Sequence, residues 1–175
     1  IYLFLMLCCL SLHLYGGNVT GNCTSYSQEG RDVTFHIDDN SAVQLQLCSS
    51  SVVRVWFSPD GKLQRGNPSF AVINEKLEDV GTVRVDEQNA CYEIFTPKLR
   101  IRVNKAPFSL QIFDKYQKLL FSDYADKGHI SDGERKVEYK TLRRDEHFFG
   151  LGEKTGKLDR RGESYKMWNS DKPCY

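Results

Sequence analysis

The chain has 175 residues, 40% of them apolar, and a formal net charge of +1. That length suits one medium domain with a leader. The near-neutral balance offers no clustered cationic field for nucleic acid or anionic lipid, so neither is expected as a partner. Short basic pairs do occur, Arg143-Arg144 and Arg160-Arg161, but each stands beside Asp or Glu and reads as a solvated, charge-mixed surface.

Ile1 to Tyr15 carry no formal charge and are rich in Leu, Phe, Ile, Tyr and Cys. They read as the apolar region of a secretory signal over residues 1–17, with Gly16 and Gly17 where processing could occur and without the charged start such signals carry. A membrane anchor needs about 20 apolar residues; this run is shorter and gives way to Asn18, Thr20, Asn22 and Thr24. The expectation is therefore an exported protein, periplasmic or extracellular, with no membrane contact beyond the signal. Residues 18–32 read as a polar N-terminal segment. Of the six cysteines, Cys8 and Cys9 fall in the leader, and Cys23, Cys48, Cys91 and Cys174 remain. Export would allow those four to pair, in any of three ways. Their spacing has no CxxC or CxxxH pattern, so no metal site is expected.

From Val33 the pattern is one strand after another. Val33–Ile37, Val43–Leu47 and Val53–Phe57 alternate with period two, which sends one face inward and the other to solvent. The turn Ser58-Pro59-Asp60-Gly61 follows, with Pro presetting φ and Gly supplying a reversal. Ile73 to Val80 could form one helical turn. Strands are then expected at Thr82–Val85, Tyr92–Phe95, Leu99–Val103, Phe108–Phe113 and Lys118–Phe121, the last two joined by a turn at Asp114–Gln117. Many short strands between regular turns predict an all-β, two-sheet sandwich over residues 33–175. Its inward residues would be Phe35, Leu45, Leu47, Val55, Phe57, Val83, Ile94, Leu99, Ile101, Val103, Leu110, Ile112 and Leu120.

The chemistry is concentrated in the last thirty residues, which read as a strand ending in Gly150-Leu151-Gly152, a long polar loop, and an aromatic-polar cluster. The glycine pair is no dinucleotide cradle, because that pattern needs a third glycine where Thr155 stands. It reads instead as a chain bend. Trp168-Asn169-Ser170-Asp171 could form a sugar site, the indole packing on a ring face while Asn and Asp bind hydroxyls. Taken by themselves, the same residues read more readily as an Asx turn at Asn169 or Asp171 beside a buried Trp.

The run Phe148-Phe149-Gly150-Leu151-Gly152-Glu153-Lys154-Thr155-Gly156, then Arg160-Arg161-Gly162, then Tyr165-x-Met167-Trp168-Asn169-x-Asp171, resembles the end of the N-terminal domain of family 31 glycoside hydrolases, the α-glucosidase and α-xylosidase family. Pro107–Ile112 and Lys118–Phe121 resemble that domain's paired strands. The resemblance implies a galactose-mutarotase-like β-sandwich packed on a (β/α)8 barrel, acting on oligosaccharides or other glycosides without a cofactor. It further implies retaining hydrolysis, which needs two carboxyl groups about 5 Å apart. Both would come from a barrel beyond Tyr175, so Glu153, Asp159 and Glu163 are expected to be loop charges paired with neighbouring Arg and Lys. By position in the motif, Asp171 would contact a substrate hydroxyl, with Asn169 and Trp168 beside it. The family more often has a small or aromatic residue after that Asp, whereas Lys172-Pro173-Cys174 follows here. The reading from another class is a non-catalytic, secreted carbohydrate-binding sandwich.

Overall fold

A computed structural model describes residues 18–63, 79–124, 127–132, 135–152 and 154–167. The chain divides into two compact units, Ile1–Lys140 and Thr141–Tyr175. The possible helical turn near Ile73, the leader, and the Trp168-Asn169-Asp171 cluster all lie outside the described residues.

The first unit is all-β, with a four-stranded and a five-stranded antiparallel sheet. The four-stranded sheet runs in chain order through β2 (Cys23–Glu29), β3 (Asp32–Ile37), β4 (Ala42–Leu47) and β5 (Val53–Ser58). The five-stranded sheet comprises β6 (Arg84–Glu87), β7 (Cys91–Phe95), β8 (Leu99–Lys105), β9 (Phe108–Asp114) and β10 (Leu119–Ser122), again as a meander. Short β1 (Asn18–Val19) joins β11 (His129–Asp132) and β12 (Arg135–Glu138) in a third, small sheet. The segment read as polar contributes a full strand, β2. Its polar residues mark a strand whose outer side and far end meet water, and only Cys23 of its seven residues is buried.

Alternation explains why the two large sheets meet face to face. Val33 and Phe35 on β3, Val43, Leu45 and Leu47 on β4, Ile94 on β7, and Ile101 and Val103 on β8 are fully excluded from solvent. Aromatic rings cross the gap: Tyr92 lies 5.4 Å from Phe35 and 5.1 Å from Tyr26, and Phe108 lies 6.4 Å from Phe35. Each such pair adds about 0.5–1.5 kcal/mol beyond its buried area. Gly61 ends the β5 turn at φ +69°, where an added Cβ would sit 2.7 Å from the Asn40 carbonyl oxygen. That close approach leaves room for glycine alone.

Two expected core positions are exposed. Val55 is on β5, an edge strand of its sheet, so packing reaches it from one side only. Leu120 sits where a bulge between Leu119 and Phe121 shifts the register of β10, turning it out of the inward set. Phe57 and Ile112 are partly buried against the core. The core also takes in Tyr92 and Phe108, which alternation places on the inward faces of β7 and β9. Cys23, Cys48 and Cys91 are free thiols in the structure.

Two buried ionic groups also shape this unit. Glu93, on the outer face of β7, is 3% exposed beneath two arginines of β8. Arg102 Nε donates to its Oε1 at 2.7 Å, and Arg100 Nε stands 3.0 Å from Oε2 as an ion pair outside hydrogen-bond geometry. Both guanidinium groups stack over Phe113. At the far end, the buried Asp123 accepts from the Leu110 amide at 2.8 Å and pairs with Lys140 at 2.7 Å. Lys140 also reaches Glu138 at 3.2 Å, and Glu138 faces His129 Nδ1 at 3.3 Å. The imidazole stacks on Phe57, and burial, followed by the nearby Lys140 charge, holds its pKa below the usual value.

Candidate functional site

The second unit carries the motif-bearing segment, and its described part, Thr141 to Met167, contains no strand or helix. The strand expected to end at Gly150 does not form. The backbone of Phe148 is engaged elsewhere: its amide donates to Asp159 Oδ1 at 3.3 Å and its carbonyl accepts from the Arg160 amide at 2.7 Å. The bend expected at the glycine pair is present. Gly150, Leu151 and Gly152 all have positive φ, and the Lys154 amide closes a tight turn on the Gly152 carbonyl at 2.8 Å.

The tripeptide Asp159-Arg160-Arg161 organises the rest. Asp159 Oδ2 lies 2.6 Å from His147 Nδ1, and its Oδ1 also accepts from the Arg161 amide at 3.0 Å. The bond to His147, then the backbone amides, lower its pKa to about 2. Arg160 uses the fork of its guanidinium three times: one Nη donates to the Lys154 carbonyl at 2.7 Å, the other to the Thr155 carbonyl at 3.1 Å and to the Tyr165 hydroxyl at 3.2 Å. Its charged plane also lies 5.3 Å from the Tyr165 ring centre. Arg161 donates from one Nη to the carbonyls of Arg143, at 2.8 Å, and Glu146. The whole segment between Arg143 and Tyr165 is therefore tied to itself by side chains reaching backbone groups.

The expectations for acidic residues divide along these lines. Glu163 pairs with Lys157 at 3.4 Å, as a loop charge should. Asp159 pairs instead with His147 and holds two amides, a structural part that charge counting did not reveal. Glu153 lies outside the described residues, as do Trp168, Asn169 and Asp171. Sequence reasoning passed over Arg160 as half of a surface basic pair. The available signal was its place directly after Asp159, downstream of a Gly-rich loop, but the carbonyls it binds lie five and six residues back and carry no sequence mark.

A family model, the glycosyl hydrolase 31 N-terminal galactose mutarotase-like domain, matches residues 42–175. The chain belongs to this family. Among solved structures, a family 31 dextranase from Flavobacterium johnsoniae, determined with isomaltotriose and with glucose, is 61% identical with a TM-score of 0.83. That match covers 90% of this chain and 20% of the dextranase. Alpha-glucosidase 2 of Bacillus thermoamyloliquefaciens is 31% identical over 152 residues, 86% of this chain and 19% of that protein. A family 31 α-xylosidase from a soil metagenome shares the fold at a TM-score of 0.60 and 16% identity, over 80% of this chain and 24% of its own. The chain thus spans about a fifth of the length of the first two relatives.

Proposed function

We propose that this domain is the accessory, carbohydrate-contacting N-terminal part of an exported, retaining α-glycosidase that acts on α-linked glucose oligomers. The observation that carries the reading is the 61% identity to a dextranase structure that holds isomaltotriose, across nine-tenths of this chain. The α-glucosidase relative points to the same sugar. Hydrolysis itself would fall to two carboxylates on a (β/α)8 barrel elsewhere in the whole protein. The domain's part is to supply one rim of the pocket through Trp168, Asn169 and Asp171, with Asp171 accepting a hydrogen bond from a sugar hydroxyl. The uncharged apolar stretch Ile1–Tyr15 supports export.

A carbohydrate-binding module without catalysis is the second reading. It has one observation in its favour, a cleft of about 280 Å3 lined by Trp56, Phe57, His129 and Glu138 among others. Arg54 lies over the Trp56 ring at 4.5 Å and occupies a face that a sugar would need. Family membership weighs further against this reading.

The test is kinetic. In the full-length enzyme, Asp171→Ala should lower kcat/KM for isomaltotriose about 10- to 100-fold, the loss of one charged acceptor worth about 1.5–3 kcal/mol. Glu163→Gln, an exposed loop pair, should change it little. Equal losses in both variants would make Asp171 a turn residue. The isolated chain should show no turnover of aryl α-glucoside above a boiled control; confirmed turnover would sink the assignment of catalysis to the barrel.

A further inference from the structure

The small sheet β1–β11–β12 is attached to the rest of its unit by two kinds of contact. Backbone hydrogen bonds hold its ends: the Phe108 amide donates to the Gly21 carbonyl just past β1, and the Tyr124 amide to the Tyr139 carbonyl just past β12. Lys140 adds an ion pair to the buried Asp123 at 2.7 Å. Towards β5 the contact is of another kind. No ladder joins β5 to the small sheet among the described residues. A cleft of about 280 Å3 lies there instead, lined by Trp56 and Phe57 of β5 and by His129 and Glu138 of the small sheet. Beside it the His129 ring stacks on Phe57, with centres 5.4 Å apart and planes at 15°.

That ring is 4% exposed and sits among fixed charges. Nδ1 faces the Glu138 carboxylate at 3.3 Å, which places the single proton of a neutral imidazole on that nitrogen. Nε2 is buried and has no hydrogen-bond partner among the described residues. A second proton would have to go on Nε2, as a donor without an acceptor and as a charge within an aromatic stack. Glu138 and Asp123 attract such a charge, but each is already paired with Lys140, whose ammonium repels it. Arg54 on β5 and Lys136 on β12 line the same cleft and add positive charge. The closed arrangement therefore suits the neutral ring, and a charged ring gains hydration when the stack on Phe57 parts.

We propose that His129 is an acid-sensitive latch: taking a proton frees the β1–β11–β12 sheet from β5 and widens the cleft, while the two large sheets stay closed. The His129 carbonyl accepts from both the amide and the hydroxyl of Thr20, at 3.0 and 3.2 Å, so β1 moves with residue 129. Linkage gives the direction. The opened ring titrates near the ordinary value of about 6.5 and the closed ring below it, so opening gains as the pH falls through about 6.5.

Hydrogen exchange of the full-length protein, read on peptides by mass spectrometry and corrected for the intrinsic pH dependence of exchange, tests the latch. Between pH 7.5 and pH 5.5 the opening constant of β1, β11 and β12 should rise about 10-fold, with β3, β4, β7 and β8 unchanged. The rise should vanish in His129→Gln and in His129→Phe, neither of which can take the proton. The Phe variant also keeps a ring against Phe57. His36→Gln, which removes an exposed histidine of β3, should behave as wild type. A rise that persists in His129→Phe would overturn the latch. So would an equal rise in the large sheets, which marks general loosening in acid, or unchanged protection of the small sheet down to pH 5.5. If His129→Gln is already open at pH 7.5, the lost stack accounts for it and His129→Phe decides.

Discussion

From Cys23 to Leu110 the first unit buries Val33, Phe35, Val43, Leu45, Leu47, Ile94, Ile101 and Val103 completely, whereas from Thr141 to Met167 no described residue is buried. The first region gains its order from apolar area removed from water between two sheets, each buried side chain giving about 1.5–3 kcal/mol. The second holds its shape through a carboxylate and two guanidinium groups that satisfy backbone amides and carbonyls. Burial between the sheets is cooperative, while half-exposed polar bonds are individually worth about 0.5–1.5 kcal/mol and open locally.

That contrast can be broken at several points, and the largest effect belongs to the core. Phe35→Ala should cost about 3–5 kcal/mol, through lost burial and the cavity left between Tyr26, Tyr92 and Phe108. Urea denaturation would read it as a large fall in midpoint. A loss under about 1 kcal/mol would mean that the sheets re-close around the gap.

Next in size is Glu93. Replacing it with Gln leaves Arg100 and Arg102 without their shared counter-ion and should cost about 2–3 kcal/mol, less than a fully buried pair because both arginines are partly exposed. The same denaturation experiment decides it, and equal stability of the variant would mark the cluster as energetically idle.

His129 introduces pH dependence into the sandwich itself. Its folded pKa lies below the unfolded value of about 6.5, so the unfolded chain takes up a proton first on acidification. Stability from this group is complete above about pH 6.5 and is lost as the pH falls towards the folded pKa. Melting at pH 7.5 and pH 5.5 should show that decline, and it should flatten in His129→Gln. An unchanged slope in the variant would assign the effect to other groups.

The smallest effect is confined to the loop. The Asp159 pKa of about 2 means that its bonds persist well into acid and are lost as the pH falls from the unfolded carboxylate range through about 2. Exchange at the Phe148 and Arg161 amides should therefore remain slow at pH 4, and Asp159→Asn should speed it there without moving the melting temperature. Loop opening already at pH 4 in the wild type would remove Asp159 from its proposed structural role.

Period-two alternation, with Pro and Gly turns between, was enough to predict an all-β sandwich, the β3–β5 and β7–β10 order, and most of the core. A buried face must repeat every second residue, and that repeat is written directly in the chain. The ordered motifs of the last thirty residues were enough for the family. Tertiary structure decided what alternation cannot express. Polar β2 is a strand because β3 offers it a pairing edge, and Val55 and Leu120 are exposed because one lies on an edge strand and the other beside a bulge. Glu93 is buried because two arginines from the neighbouring strand close over it. The brace around Arg160 was invisible for a related reason: a guanidinium chooses its carbonyls by position in space, and backbone carbonyls are the same at every residue.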